Sequence, residues 1–247
     1  MGRYVMIEMT STPNYAGMTI TGDFYDFDQL YEALHRIVGG EGEYPAYSSA
    51  RLRVLGLCYD IRHANMGHRE FIYKDHGLSI ETMQWLGTVG PSKNLYLSFN
   101  TYYPEILFIL MALNDFIDLY QRKPEVHSKW DLTVLTVRKF QATINQCLRE
   151  TIPPQTFKLM MKNMNKYSVH FQYYFDQYLD QLNIRFLEWN KEKRLKNISI
   201  MAKRIAEQGK EYQQLKEEIS EAAFKYNCNP TELRYSKEYP EYEEIDW

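Results

Sequence analysis

Cysteine is scarce: the 247 residues hold three, Cys58, Cys147 and Cys228, far apart and without a CxxC pair. An odd number at such spacing excludes a disulfide framework and predicts free thiols in a reducing, cytoplasmic setting. Long apolar runs are also lacking. The strongest, Ile106–Leu113, is eight residues long, too short to span a bilayer. The opening stretch Met1–Met6 has no signal-peptide core, and Met6 stands where a myristoylation pattern needs Ser or Thr. Charge of one sign is lacking as well. A formal net charge of −3 implies neither a nucleic-acid nor an acidic-membrane partner by itself. Catalytic signatures are missing: GxSxG, HExxH and a phosphate loop do not occur, and Gly39-Gly40-Glu41-Gly42 follows a predicted helix without the GK[ST] ending. No cofactor is expected on these grounds.

What is present is ordinary core material. Hydrophobic residues make up 45% and charged residues 25%, which excludes a disordered chain. Tyrosine, at 21 residues, and methionine, at 11, are abundant, and both types serve cores and interfaces. Residues 1–50 are net −5, the long middle is mildly basic, and the tail 231–247 is net −4. The tail reads as a solvated acidic end, with folding back on the basic body as the other option.

Tyr4–Met9 reads as a strand, Pro13–Gly17 as a turn and Met18–Thr21 as a second strand, pairing as a hairpin. A helix follows, with Asp26 as N-cap, Gln29 in the capping-box position, and a stripe of Phe27, Leu30, Tyr31, Leu34, Ile37 and Val38. Ser48 or Ser49 caps the next helix, whose buried side is marked by Leu52, Leu55, Cys58 and Tyr59. Glu70–Lys74 is a short strand, Ile80–Leu86 a helical turn and Leu95–Phe99 a further strand. Pro104 suits the first turn of a helix that is apolar all round over 106–113 and therefore central. Ser128 and Asp131 open a helical segment in which β-branched Thr133–Val137 allows an initial strand. A short Met-rich helix follows Pro153-Pro154, and residues 168–190 carry a long helical pattern.

Three stretches, Asn14–Phe24, Arg51–Ala64 and Tyr103–Ile117, make the first half resemble an uncharacterised protein family of Gram-positive bacteria. The resemblance carries no activity. It implies a bacterial cytoplasmic setting and a self-contained fold.

The expected fold is α+β and predominantly helical. A small N-terminal sheet packs on helices 27–38, 48–66 and 104–121, and the C-terminal half is all helical. The expected regions are 1–125, 126–230 with a coiled-coil-like hairpin, and the tail 231–247.

Several constellations could carry chemistry. Asp60, His63, His68 and His76 are the candidate metal ligands, because three of the six histidines fall within 14 residues and Asp60 and His63 share a helix face. The competing reading is a surface pair and two turn histidines. Asp115 and Asp118, one helical turn apart, could hold magnesium, or could simply edge a buried helix. Lys191–Lys196 beside Trp189 could grip a nucleic-acid backbone, or be a solvated junction. Ile198, Met201, Ile205, Tyr212, Leu215 and Ile219 alternate three and four apart as a heptad seam. That seam is the candidate interaction surface, closed either by residues 168–190 as an internal hairpin or by a second copy as a homodimer.

The function expected from this is non-enzymatic: a cytoplasmic bacterial protein acting through a protein partner or itself, as regulator, assembly subunit or inhibitor. The alternatives are a metal-assisted hydrolase, a phosphodiesterase or nuclease, using the Asp60/His63/His68/His76 cluster, and a nucleic-acid-binding accessory protein.

Overall fold

The computed structural model describes residues 7–87, 89–124, 126, 130–166 and 168–247. The fold is α+β and helix-dominated. Strands β1 (Glu8–Ser11), β2 (Gly17–Gly22), β3 (Glu70–Asp75) and β4 (Lys93–Tyr102) form an antiparallel sheet in the order β1-β2-β4-β3. The expected hairpin is present with the register Met9↔Ile20. Its first strand runs later than predicted, and Tyr4–Met6 lies outside the described residues. Gly17 is required where β2 meets the end of β4, because a Cβ there would sit 1.7 Å from the Thr101 carbonyl oxygen.

Helix α1 (Phe24–Val38) begins at Asp23, not Asp26. The Asp23 carboxylate accepts the Asp26 N–H at 2.8 Å, and Asp26 answers from the third helical position, closing a reciprocal capping box. Helix α2 (Ser48–Asn65) follows a 3-10 turn at Pro45–Tyr47 and has no side-chain cap. Its buried side is Val54, Leu57, Cys58, Ile61 and Ala64; Leu52 and Tyr59, expected inside, are exposed. A short α3 (Ile80–Trp85) sits between β3 and β4.

Helix α4 (Tyr103–Gln121) is the axis of the molecule and is buried nearly all round, as its apolar run requires. The sheet, α1 and α2 cover one side of it, and α7 (Gln177–Leu187) and α8 (Lys191–Glu207) cover another. Helix α5 (Leu132–Thr151) flanks α1 and β1, and α6 (Pro154–Met164) packs on α8. Thr133–Val137 is helical from its start, since the Asp131 side chain accepts the Val134 N–H at 3.0 Å and Val134, Val137, Phe140 and Ile144 share one buried face. The expected Ser128 cap lies outside the described residues.

The pattern over 168–190 yields a helix only from Gln177. Upstream, three backbone N–H groups that a helix would use are taken by distant partners. Phe171 donates to the Asp115 carboxylate at 2.8 Å, Tyr173 to the Ala46 carbonyl at 2.6 Å and Phe175 to the Tyr212 hydroxyl at 3.1 Å. Tyr173 takes φ 53°, which ends any helical run there. The seam, by contrast, divides where Gln208 and Gly209 interrupt its pattern in the sequence, with left-handed Gln208 between α8 and α9 (Lys210–Tyr226).

The tail does not run free as a solvated end, although most of its side chains stay exposed. It crosses back over the body, burying Ile245, and Arg194 donates to the Asp246 carbonyl at 2.5 Å while the Asn14 N–H donates to the Trp247 carbonyl at 2.8 Å. The physical reason is that Arg194, inside the basic run, is itself buried and needs carbonyl acceptors that the tail supplies.

Replacing Asp23 by Ala lowers stability by about 1 kcal/mol through loss of the cap, and Gln29→Ala leaves it within about 0.5 kcal/mol. Urea unfolding of both variants distinguishes the two caps.

Candidate functional site

An open cleft of about 510 Å³ lies between α2, the end of β4 and the tail. Helix geometry explains its wall: Leu52, Gly56 and Asp60 form one column of α2 at four-residue spacing, with Arg53 and Leu57 beside it. The end of β4 adds Asn100, Thr101 and Tyr102, and the first turns of α4 add Glu105 and Ile109. Asp176 enters from the irregular stretch before α7, and the tail closes the cleft with Tyr239, Tyr242 and Trp247.

Arg53 organises the floor. Its guanidinium lies 2.7 Å from the Asp180 carboxylate, 3.5 Å from Glu105 and 3.7 Å from Asp176, and it donates to the Asp176 carbonyl at 3.0 Å. Glu105 also accepts from Asn183 Nδ2 at 2.8 Å, and the Tyr239 hydroxyl donates to Asp180 at 2.7 Å. One cation thus faces three carboxylates. Desolvation by burial raises the pKa of Glu105, with Arg53 and Asn183 opposing it, and raises Asp176 for the same reason. Burial pushes the Tyr102 hydroxyl up to about 12, so it stays protonated. Above the floor the Tyr102 ring is stacked with Trp247, centroids 5.5 Å apart and 3° from parallel, and with Tyr239 at 5.6 Å.

The residues singled out from sequence lie elsewhere, with one exception. Asp60 lines the cleft, but its carboxylate accepts from Arg69 at 2.7 Å. His63 and His68 have ring centroids 5.5 Å apart at the end of α2. His76 sits past the far end of β3, where its Nε2 is 3.0 Å from the Pro91 carbonyl and its Nδ1 accepts the Leu78 N–H. The structure therefore does not bring the four candidate metal ligands together, because the length of β3 separates His68 from His76. Among the described residues no three His, Cys, Asp or Glu side chains are placed to share a metal ion. Asp115 is buried and spent on the Phe171 N–H and on His170 at 3.3 Å, which removes it from a pair with Asp118. In the basic run Arg194 points inward and Lys193 lies over the Trp189 ring, while Lys191, Lys193 and Lys196 stay exposed.

The heptad seam is also redirected. Ile198, Met201, Ile205 and Tyr212 are core residues, Ile219 is buried and Leu215 packs against the core. Tyr174 stacks on Tyr212 at 5.1 Å, and α4, α6 and α7 cover the α8 part of the seam. As the candidate interaction surface this set is corrected: side chains that fill the core of their own chain present no surface to a partner.

Exposed apolar surface is found instead on the arm formed by β3, α3 and the start of β4. Strand pairing sets Phe71 opposite Leu97 and Tyr73 opposite Leu95, on the sheet face that carries buried Phe99 and Ile20. The helical layer stops short of the arm. Tyr73 is 64% exposed, Ile80 65% and Trp85 84%, with Phe71, Leu86, Val89 and Leu95 exposed beside them. The outer edge of β3 has no neighbouring strand among the described residues.

The pKa directions fix one sign. Glu105 holds its proton more tightly folded than unfolded, so its burial weakens the fold as pH rises above about 4.5. Below that the group is neutral in both states. The stability of the wild type relative to Glu105→Gln therefore declines as pH rises through the carboxylate range. Denaturant titrations at several pH values measure this slope, and a rising one contradicts the burial argument.

No curated protein and no solved structure matches the chain. A family model described as a domain of unknown function, DUF6904, matches residues 7–247, and the chain belongs to that uncharacterised family.

Proposed function

We propose that this protein acts by binding another protein, without catalysis, in the cytoplasm of a Gram-positive bacterium, as a regulator, an assembly subunit or an inhibitor. The observation that carries this reading is the exposed arm. Phe71, Tyr73 and Leu95 continue the core face of the sheet past the end of the helical layer, so a partner that lays an apolar helix or strand across them completes the layer, with exposed Trp85 of α3 in the same arm. Monomeric soluble proteins rarely leave a contiguous apolar face uncovered, and an open strand edge invites pairing. The first partner to test is a second copy of the chain. The cytoplasmic setting agrees with buried, free Cys58 and Cys147, whose thiols burial pushes up to about 12 and about 11, so that they stay protonated. It agrees also with the described helices, none of which is long and apolar enough to cross a membrane.

Tyr73→Lys and Trp85→Lys change exposed positions and cost the fold no more than about 0.5 kcal/mol. Light scattering after size exclusion is expected to give an oligomer for the wild type and a monomer for the double variant, with unchanged melting temperature. If the wild type is a monomer, a photocrosslinker at position 85 is expected to trap a partner in cells far more than one at exposed Glu217. Equal trapping at the two positions overturns the proposal.

A further inference from the structure

We infer that the cleft between α2 and the tail is a binding site for an organic cation, an amine or guanidinium carried on a flat apolar body. Its volume of about 510 Å³ falls in the range that encloses small molecules. Three features select the ligand.

The first is charge. Two guanidiniums, Arg53 and Arg69, stand against four carboxyl groups, Asp60, Glu105, Asp176 and Asp180, in and beside the cleft. Both guanidiniums are already engaged by these carboxylates, Arg53 by three of them and Arg69 by Asp60, which leaves neither for an anionic ligand. Desolvation raises Glu105, Asp176 and Asp60 alike, so each carboxylate has less positive charge nearby than its burial demands. A bound cation offsets that shortage.

The second is the aromatic wall. Tyr102, Tyr242 and Trp247 line the cleft; Tyr102 is stacked between rings of the tail, so the ring faces on offer to a cation and its flat neighbour are those of Trp247 and Tyr242 turned away from that stack.

The third is Gly56. It stands in the interior of α2, where glycine costs about 0.5–1 kcal/mol relative to alanine. A Cβ built on it would meet no atom within 4 Å. No protein contact demands glycine there; its missing side chain keeps the cleft open above the helix.

The test is a titration of the full, isotope-labelled chain with three probes of one shape: 2-phenylethylamine, 2-phenylethanol and phenylacetate. The amide of Gly56 and the indole N–H of Trp247 report on the site by NMR. The amine is expected to shift both signals and to bind at least about tenfold tighter than the alcohol, with the acid weakest, because the discriminating terms are charge attraction and cation–π contact. Gly56→Leu fills the cleft on a better helix former; it is expected to abolish the shifts while the melting temperature holds or rises. An amine that binds no tighter than the alcohol overturns the inference, and so does one that leaves the two reporters unmoved. If Gly56→Leu fails to fold, the order of the three probes on the wild type decides alone. The arm is not involved, so failure here leaves the interaction proposal standing, and the reverse.

Discussion

The guanidinium of Arg53 is the contact on which the geometry around it depends. A charge moved out of water is tolerated only where partners surround it, and here the partners come from separate parts of the chain. Glu105 opens α4, Asp176 precedes α7, Asp180 lies in its first turn, and Tyr239 reaches Asp180 from the tail. One cation from α2 therefore fixes how the central helix, the C-terminal helices and the tail meet. The same arrangement leaves more carboxylate than cation, which gives the cleft its sign.

A second constraint comes from the sheet. Its inner face is built by strict alternation, and β3 and β4 keep that alternation beyond the helices that bury it. The apolar positions of the arm are thus no accident of a loop. They obey the same rule as the core, with the covering layer absent from this chain's described residues.

Much of this was legible in the sequence, and the limits have physical causes. Apolar patterning located α1, β2 and α4, because each buries the residues its pattern marks. The buried side of α2 was misread because Leu52 faces the cleft, where an apolar side chain lines a cavity without entering the core. The stretch 168–176 was misread because helix pattern competes with tertiary partners, and Asp115, Ala46 and Tyr212 captured its N–H groups. Histidines close in sequence did not converge, since an extended strand of six residues carries His76 away from His63. The cleft itself left two faint signals: a glycine inside a strongly helical stretch, and an aromatic tail without period. Neither names a site until the fold brings Gly56 and Trp247 to the same cavity.

Residues 233–247 hold to the body through side chains and single backbone bonds, with only one short 3-10 turn of their own. A segment held this way can leave without the core unfolding. It also supplies one wall of the cleft. Occupancy of the cleft and attachment of the tail are therefore linked equilibria, and whatever strengthens one strengthens the other by the same free energy. A protease that cuts within residues 233–247 would read that linkage directly, since a cut requires the wall to leave first.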